Sequence, residues 1–590
     1  MIVTLARAAR ARTWWLLGAL LATSVAGGAP SASAQGSGWR WESPRPQGTT
    51  LRDACVDSAG ALWAAGELGT LGRLGADGVT WEPLAVRSTA DLMRVACCGD
   101  TVLAVGTNGI VVRRDARGSV SEQSLSTSTL NGVACVGERG AAIGSGDGVW
   151  VSADGASFER RDAPHPIYAL RAIGGDALIA SGPEGAISRS DDLGRTWSTA
   201  RTGARGNVLA IDGGPDALVA VGTGGLALRS ADGGRTWAPL ASGVSDDLHA
   251  VVRGARGEVV AVGAGVAIAS RGSTSFTSLG PLPARFYGLV ATPRGLVAVG
   301  MGGRIATRRG SGRFVVAARW ESSLYGAWSD GTTRIVVGDR GFVARASGEG
   351  ALRPVRVPTV AALHAVDGDA RGVVLAVGAE GTILRSSDRG ARWSRVTVPA
   401  DRTFNSVWMD DEGHALCVGE RGQRYRSDDG GRTWESSSLG TDDHFTGIAA
   451  RGSTLWVVGA RGRVERSDDL GRTWIAETAP PGSGDLRTPF VTARGTLIVT
   501  ARPGTVARRG ADGRWSTVEL GPSAVLTGLT GDERELILVA SDGSTYLSRD
   551  DGATWARERA ITRESLTSIR AMPGGGALAT GYWGTLLVRP

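Results

Sequence analysis

The residues that could carry catalytic chemistry are few and scattered along the chain. The chain contains no lysine, which excludes Schiff-base and lysine-base chemistry. Its histidines show no spacing that would place two metal ligands on one strand. His249 and His364 both occur in the string L-H-A-V, which indicates a shared packing position rather than a site. The five histidines are His165, His249, His364, His414 and His444.

The carboxylates show no arrangement typical of a hydrolase. Glycoside hydrolysis needs two carboxylates that flank a sugar-binding cleft. The acidic strings Asp410-Asp411-Glu412 and Asp442-Asp443 consist of adjacent residues, which in short turns are expected to point to solvent. We therefore predict no catalytic residue, no metal and no cofactor.

The five cysteines leave two interpretations open. No C-x-x-C string occurs, so a zinc site is not predicted. Three of the cysteines fall at similar positions in consecutive repeats, so neighbouring strands could bring a pair together as a disulfide. The other interpretation is that they are small buried residues. The set is Cys55, Cys97, Cys98, Cys135 and Cys417.

A glycine-framed turn, G-x-x-G, recurs along the chain with a period of about 40 residues. Complete copies lie at 66–69, 106–109, 182–185, 222–225, 300–303, 338–341, 378–381, 419–422, 459–462 and 581–584. Altered copies lie at 146–148, 263–265, 501–504 and 540–543. The chain therefore carries fourteen copies of one unit.

Each unit has the parts of a four-stranded antiparallel blade. A short strand comes first, followed by an apolar run such as Leu218-Val219-Ala220-Val221, the G-x-x-G turn and an alternating strand. A last strand begins at an aromatic residue. Four strands in about 40 residues are typical of a β-propeller blade.

The turn before the last strand is the most distinctive, with the pattern S-x-D-x-G-x-T-W. The aspartate can accept backbone N–H groups within the loop, and the threonine hydroxyl can tie back across the hairpin. Six copies follow the pattern closely, at 190–197, 230–237, 386–393, 427–434, 467–474 and 548–555.

This turn is the Asp-box, or BNR repeat. The extended pattern V-G-x-x-G-x-I-x-R-S-x-D-G-G-x-T-W, clearest at 221–237 and 377–393, resembles the photosystem II stability/assembly factor family over about residues 39–590. The resemblance implies an all-β fold of Asp-box propellers that hold other proteins. Members of that family are typically single seven-bladed propellers, whereas fourteen units predict two. Sialidases also carry the Asp-box, but the chain lacks an R-I-P string, the nearest being Arg356-Val357-Pro358.

We predict two seven-bladed β-propellers, at residues 35–310 and 311–590. Two segments, near 39–43 and 314–318, are left over as outer strands that must complete a blade. We favour a sequential arrangement, in which 39–43 completes the blade ending near Thr307 and 314–318 completes the blade ending near Arg589. The alternative pairs 39–43 with 585–589 and so inserts one ring within the other.

Residues 1–34 resemble a cleavable signal peptide. Arg7, Arg10 and Arg12 precede an apolar run, and Ala32-Ser33-Ala34 fits a cleavage site. Without these three arginines, the 65 basic and 58 acidic residues leave a net charge of +4, too weak to indicate nucleic-acid binding. We expect a periplasmic or secreted protein with no stable membrane insertion.

The variable residues of the G-x-x-G turns should form one face of each ring. In the second ring they are polar or aromatic, and arginines near a shared axis could clamp carboxylate groups. The predicted function is a non-enzymatic scaffold with a protein or peptide partner. The alternative is a carbohydrate-active protein, either a lectin or a xyloglucanase-like or sialidase-like glycoside hydrolase. The candidate binding residues are Arg340, Arg421, Arg461, Arg502, Tyr582 and Trp583.

Overall fold

The computed structural model describes most of the chain after the predicted signal peptide. The described residues are 38–43, 48–75, 81–253, 257–270, 275–316, 322–348, 350–437, 442–521 and 525–590. The predicted signal peptide and its cleavage site lie outside them. Within these ranges the regular structure consists of β-strands and short 3-10 turns, and no helix is long and apolar enough to cross a membrane.

The strands form twelve four-stranded antiparallel sheets and one six-stranded sheet that holds two blades. The second strand of each blade is its core element. In Ala217–Gly222, for example, every residue after the first is buried. Because both faces of this strand pack against neighbouring blades, it is a continuous apolar run rather than an alternating one. The predicted all-β fold of fourteen four-stranded blades is confirmed.

The first ring contains blades 1 to 7. Blade 1 consists of Leu51–Val56, Leu62–Gly66, Leu71–Leu74 and Trp81–Pro83, and blade 2 of Leu92–Cys98, Thr101–Gly106, Ile110–Arg114 and Val120–Ser124. Blade 3 consists of Leu130–Val136, Gly140–Ser145, Val149–Ser152 and Glu159–Arg161, and blade 4 of Ala169–Ala172, Leu178–Ser181, Ile187–Ser190 and Ser198–Ala200. The strands of blade 5 are Val208–Gly214, Ala217–Gly222, Ala227–Ser230 and Ala238–Pro239. Blades 6 and 7 share Leu248–Arg253, Val259–Ser270, Thr277–Thr292, Gly295–Gly300, Ile305–Arg308 and Val315–Val316.

The second ring contains blades 8 to 14. Blade 8 consists of Leu324–Ser329, Thr333–Gly338, Val343–Ser347 and Arg353–Pro354, and blade 9 of Leu363–Gly368, Val374–Gly378, Ile383–Ser386 and Ser394–Val396. Blade 10 consists of Phe404–Met409, Ala415–Gly419, Arg424–Ser427 and Glu435–Ser436, and blade 11 of Phe445–Arg451, Thr454–Gly459, Val464–Ser467 and Ile475–Ala476. The strands of blades 12 and 13 are Arg487–Val491, Leu497–Thr500, Thr505–Arg509 and Trp515–Glu519; Leu526–Gly531, Leu536–Ala540, Thr545–Ser548 and Ala556–Arg557. Blade 14 consists of Leu566–Ala571, Ala577–Gly581, Leu586–Arg589 and Arg40–Ser43.

Both rings are closed. In the first ring, Leu51 of blade 1 shares one apolar cluster with Val299 and Ile305 of blade 7. In the second ring, Leu324 of blade 8 shares one with Leu578 of blade 14. The strands of each ring therefore come full circle, as a seven-bladed propeller requires.

The way the chain completes the two rings differs from the arrangement we favoured. The strand Arg40–Ser43 pairs with Leu586–Arg589, and Val315–Val316 pairs with Ile305–Arg308. The sequential arrangement is therefore wrong, and the alternative is observed. Trp39 explains the choice, because it is fully buried against blade 14 and its Nε1 donates to Glu558 Oε2 at 3.2 Å.

The Asp-box turns have the hydrogen bonds expected of their residue types. In the turn that begins at Ser467, the backbone N–H and hydroxyl of Thr473 donate to Asp469 Oδ1 and Oδ2, at 2.8 and 2.6 Å. Trp474 Nε1 donates to the carbonyl of Gly471 at 3.1 Å, which holds the indole against the turn. The aspartate therefore acts as a structural acceptor.

An arginine on the third strand of several blades links them to the next blade. Arg385 Nε of blade 9 donates to the carbonyl of Gly430 in the box of blade 10, at 2.7 Å. Arg345 and Arg508 make the equivalent bonds, to Arg389 O at 2.6 Å and Asp551 O at 2.8 Å. Of these three arginines, only Arg385 belongs to an R-S-x-D string. The R-S-x-D arginines Arg426 and Arg466 instead form ion pairs with Asp428 and Asp468 of their own turns.

Two disulfides join the inner strands of the first three blades. Cys55 bonds to Cys97, with the two Cα atoms 5.7 Å apart, and links blades 1 and 2. Cys98 bonds to Cys135, with Cα atoms 5.3 Å apart, and links blades 2 and 3. Cys417 is a buried free thiol. Of the two interpretations left open, the disulfide holds for four cysteines and the small buried residue for one.

Candidate functional site

The G-x-x-G turns lie on one face of each ring, together with the connections between blades; we call it the turn face. Nine of the turns are 3-10 turns, and their second residue adopts a left-handed backbone in every case. In the second ring this position holds Arg340, Arg421, Arg461 and Trp583, with φ between 53 and 56°. Glycine fills it in the first ring at Gly224 and Gly302. All four of these second-ring side chains are exposed.

The next blade holds the turns of blades 10 and 11 in place. The backbone N–H of Arg421 donates to His444 Nδ1 at 3.2 Å, and that of Arg461 donates to Asp485 Oδ1 at 3.1 Å. His444 and Asp485 each precede the inner strand of the following blade. The side chains of Arg421 and Arg461 therefore project from turns that the following blade anchors.

Arg421 and Arg461 face acids on the connection between blades 10 and 11. Arg421 Nε lies 3.9 Å from Asp442 Oδ1, and Arg461 forms an ion pair with Asp443. Arg463 Nη1 also lies 3.1 Å from Asp443 Oδ2. The Asp443 side chain is only 14% exposed, so the expectation that both aspartates of this pair point to solvent is wrong for Asp443.

Arg502 occupies a different place in its turn. It stands at the first variable position, before Pro503, and its Nη2 lies 3.2 Å from Glu519 Oε1. Both side chains are more than half exposed. The structure therefore places Arg421, Arg461 and Arg502 on three consecutive blades, each beside an acid.

The other three candidate residues lie on two neighbouring blades, 8 and 14. Thr567 Oγ1 of blade 14 donates to the carbonyl of Leu324 in blade 8, at 2.5 Å, which makes the blades direct neighbours. Arg340 belongs to the turn of blade 8, and Tyr582 and Trp583 belong to that of blade 14. Tyr582 is 41% and Trp583 56% exposed.

Tyr325 connects these two turns. Its hydroxyl donates to Asp339 Oδ1 at 2.8 Å, and its ring meets the ring of Tyr582 edge-on at 6.5 Å between centroids. His364 meets Tyr325 from the other side, at 5.8 Å. Sequence reasoning missed Tyr325. The available signal was a large polar residue directly after the first apolar residue of an inner strand.

A further exposed apolar side chain lies beside the turn of blade 8. Val360 is 85% exposed, and the carbonyl of its neighbour Thr359 lies against Gly341, where a Cβ would come within 2.3 Å of it. We call Arg340, Val360, Tyr582 and Trp583 together the aromatic patch. Among the described residues, Arg340 has no ion-pair partner.

The titratable groups beneath the patch, Tyr325 and His364, are both held in their neutral forms. Burial, followed by the hydrogen bond to Asp339, raises the pKa of Tyr325 well above its usual value, so its phenol stays protonated. Burial lowers the pKa of His364, which is therefore neutral at pH 7. Within the described ranges, no group of three or more His, Cys, Asp or Glu residues could hold a metal ion. The geometry suits stacking and hydrogen bonding to a partner.

Comparison with known proteins agrees with the fold and with the resemblance seen in the motifs. Residues 385–483 match the family described as photosynthesis system II assembly factor YCF48. No curated protein matches the chain.

Several solved structures are similar. PorZ, a surface component of the type-IX secretion system of Porphyromonas gingivalis, is 13% identical with a TM-score of 0.63, over 93% of this chain and 86% of PorZ. A GH74 enzyme from Niastella koreensis is 15% identical with a TM-score of 0.57, over 92% of this chain and 98% of the enzyme. A YCF48 bound to D1 peptide is 18% identical with a TM-score of 0.41, over 46% of this chain and 92% of that one. The first two likenesses support the propeller fold across nearly the whole described chain.

Proposed function

We propose that this protein is a non-enzymatic scaffold, exported from the cytoplasm, that binds a protein or peptide segment on the turn face of its second ring. The aromatic patch is the observation that carries this proposal. Binding hot spots are enriched in tryptophan, tyrosine and arginine. The patch presents all three types on adjacent blades, with Tyr582 41% and Trp583 56% exposed.

The backbone at the patch is that of the repeat. Arg340 and Trp583 have φ of 53 and 56°, a region that costs a non-glycine residue about 1–3 kcal/mol. Leu68, Asn108 and Glu184 of the first ring adopt the same conformation, with φ of 50 to 56°. This conformation sets the direction in which the patch side chains leave their turns, and the proposal rests on the side chains themselves.

The charges of the turns indicate that the partner does not need to be acidic. Four arginines of the second-ring turns, Arg340, Arg421, Arg461 and Arg502, are matched by four acids, Asp339, Glu380, Glu420 and Asp542. The turns therefore form no basic field that would select a strongly acidic peptide. We infer recognition by an apolar or aromatic anchor that packs on Trp583, with Arg340 donating to a carbonyl or carboxylate beside it.

Export is supported by the disulfides as well as by the predicted signal peptide. Cys55–Cys97 and Cys98–Cys135 use four of the five cysteines, and such bonds persist in oxidising compartments. We propose a periplasmic or secreted location. The family match at residues 385–483 supports a role in holding another protein.

Site-specific photo-crosslinking in intact cells tests the proposal. A benzoylphenylalanine at position 583 should give a discrete protein adduct. The matched control is position 475, because Ile475 is 57% exposed on the outer strand of blade 11, away from the turn face. Equal adducts from both positions, or none from 583, would refute the proposed surface.

A further inference from the structure

The first ring has an axial channel with a polar lining of its own. The cavity encloses about 610 Å³ and is lined by the seven inner strands of blades 1 to 7. This volume lies within the range of about 300–1,000 Å³ that is typical of small-molecule sites. Its titratable lining residues are Asp53, Arg94, Arg171, Asp212, His249 and Tyr287.

Two of these residues lie near the turn-face mouth. Asp53 Oδ2 accepts the backbone N–H of Val95 at 3.0 Å. Arg94, on the next blade, donates to the carbonyl of Leu209 at 3.3 Å, which lies on blade 5 across the channel. A carboxylate can accept about four hydrogen bonds and a guanidinium can donate five, so both groups keep capacity toward the channel.

His249 and Tyr287 form an aromatic wall beside them. Their ring centroids lie 5.1 Å apart, on blades 6 and 7. His249 Nε2 is buried and has no hydrogen-bond partner among the described residues. Burial lowers the pKa of His249, so the ring is neutral at pH 7 and Nε2 can donate or accept.

The second ring provides an internal comparison. At the positions that correspond to His249 and Tyr287, it carries His364 and Tyr325, whose ring centroids also lie close, at 5.8 Å. The equivalent positions of four other blades hold Asn405, Thr446, Thr527 and Thr567, which donate to backbone carbonyls of the next blade at 2.5 to 2.7 Å. The amide and hydroxyl groups of these four residues are already engaged in hydrogen bonds between blades. An Arg–Asp pair deeper in the channel occurs in both rings, as Arg171–Asp212 at 2.9 Å and Arg570–Asp367 at 2.5 Å. A His–Tyr ring pair is therefore common to both rings, and the charged groups of Asp53 and Arg94 are what the first ring adds, because the second ring has uncharged residues at their positions.

We propose that the axial channel of the first ring binds an uncharged, polyhydroxylated small molecule of the sugar class. The lining supplies two arginines and two aspartates, so it favours neither an anionic nor a cationic ligand. Vicinal hydroxyl groups both donate and accept, and they need carboxylate acceptors next to guanidinium donors. Tyr287 adds aromatic surface to the wall, with the guanidinium carbon of Arg52 4.7 Å from its ring centroid. His249 Nε2 offers one more hydrogen bond. This site is independent of the aromatic patch and gives the carbohydrate-binding alternative a place in the structure.

Ligand-detected NMR on the full chain tests this proposal. Maltose, cellobiose and N-acetylglucosamine are the probes, and citrate is the charged counter-probe. We expect saturation transfer to at least one sugar and none to citrate. Asp53→Asn and His249→Phe should each weaken sugar binding at least tenfold, because each removes hydrogen-bonding capacity while retaining the side chain's shape or ring.

Thr446→Val is the control, since it changes the channel of the second ring, and it should leave sugar binding unchanged. Tyr287→Phe serves in place of either variant that fails to fold as judged by its Tm. Binding of citrate in preference to the sugars would overturn the proposal. So would binding of no probe, or sugar affinity that survives the first-ring substitutions. None of these results bears on the crosslink at position 583, so the two proposals fail separately.

Discussion

Trp41 lies in register with Leu587, so the first and last strands of the described chain are neighbours in blade 14. The first ring, from Leu51 to Val316, is consequently inserted between two parts of the second. Each blade of the first ring is built from consecutive strands. The second ring is completed by a strand from the other end of the chain.

Trp41→Ala should therefore destabilise the second ring and spare the first. Trp41 is 4% exposed and packs in one cluster with Ile537, Ile569 and Leu587. Truncation of a buried tryptophan costs about 3–5 kcal/mol. Hydrogen exchange read by mass spectrometry should rise across residues 566–589, whereas Val315→Ala, at a 70% exposed position of blade 7, should leave exchange unchanged. Faster exchange at 286–308 in the Trp41 variant would contradict the observed strand pairing.

Loss of the disulfides should weaken the first ring alone. Cys55–Cys97 and Cys98–Cys135 join residues 42 and 37 positions apart, and such bonds contribute about 2–4 kcal/mol each. In Cys97→Ser/Cys98→Ser, first-ring peptides should open at lower urea in hydrogen-exchange measurements. Dithiothreitol should destabilise the wild type and leave the double variant unaffected. A shift of second-ring peptides in the variant would be inconsistent with the two rings unfolding separately.

The repeat made most of the fold predictable. Each G-x-x-G turn and each Asp-box has residues whose backbone preferences require one local structure, so the number and type of the blades followed from the sequence. Ring completion did not follow. Trp41 and Phe314 each mark an outer strand that is followed by the inner strand of a new blade. The sequence of an outer strand does not reveal which blade it completes. Burial of Trp39 decides this, and it becomes visible only in three dimensions.

The candidate site was predictable in part, for a related reason. The turn positions of Arg340, Tyr582 and Trp583 follow from the repeat. Whether their blades touch depends on ring closure, which brings blade 14 against blade 8. The acids that face Arg421 and Arg461 lie on the connection between blades 10 and 11, which varies between repeats and has no pattern to read. Tyr325 contacts Asp339 and Tyr582 only after the ring is formed.

The Asp-boxes should make stability sensitive to acid. Hydrogen bonds from the hydroxyl and backbone of Thr473, followed by that from Ser467, lower the pKa of Asp469 to about 2. An unfolded aspartate has a pKa of about 3.9. Because the folded value is lower, this contribution is present above about pH 4 and is lost as the pH falls toward 2.

The Tm of Asp469→Asn should accordingly fall less than the Tm of the wild type when the pH is lowered from 5 to 2.5. The control is Asp401→Asn, because Asp401 is 84% exposed on the connection after blade 9. Differential scanning calorimetry measures both variants. An acid-induced fall in Tm that is the same in wild type and Asp469→Asn would show that the box carboxylate does not contribute.

Arg559 and Arg563 should fix the orientation of the two rings. Arg559 donates to the carbonyls of Val86 at 2.7 Å and Ser88 at 2.9 Å, and Arg563 forms a two-pronged pair with Asp91 at 2.8 and 3.0 Å. Arg559→Ala/Arg563→Ala should raise the radius of gyration in small-angle X-ray scattering without lowering Tm. Arg549→Ala, at a 76% exposed position of the same ring, should scatter as the wild type does. An unchanged radius for the double variant would show that other contacts hold the rings.

The affinity of the crosslinked partner segment for Trp583→Ala tests the central claim most directly. Hot-spot truncation costs about 2 kcal/mol or more, so we expect the Kd measured by calorimetry to rise about thirtyfold or more. Ile475→Ala should bind as the wild type does, since Ile475 has nearly the same exposure outside the patch. Equal affinity of wild type and Trp583→Ala would contradict the claim that the aromatic patch is the binding surface.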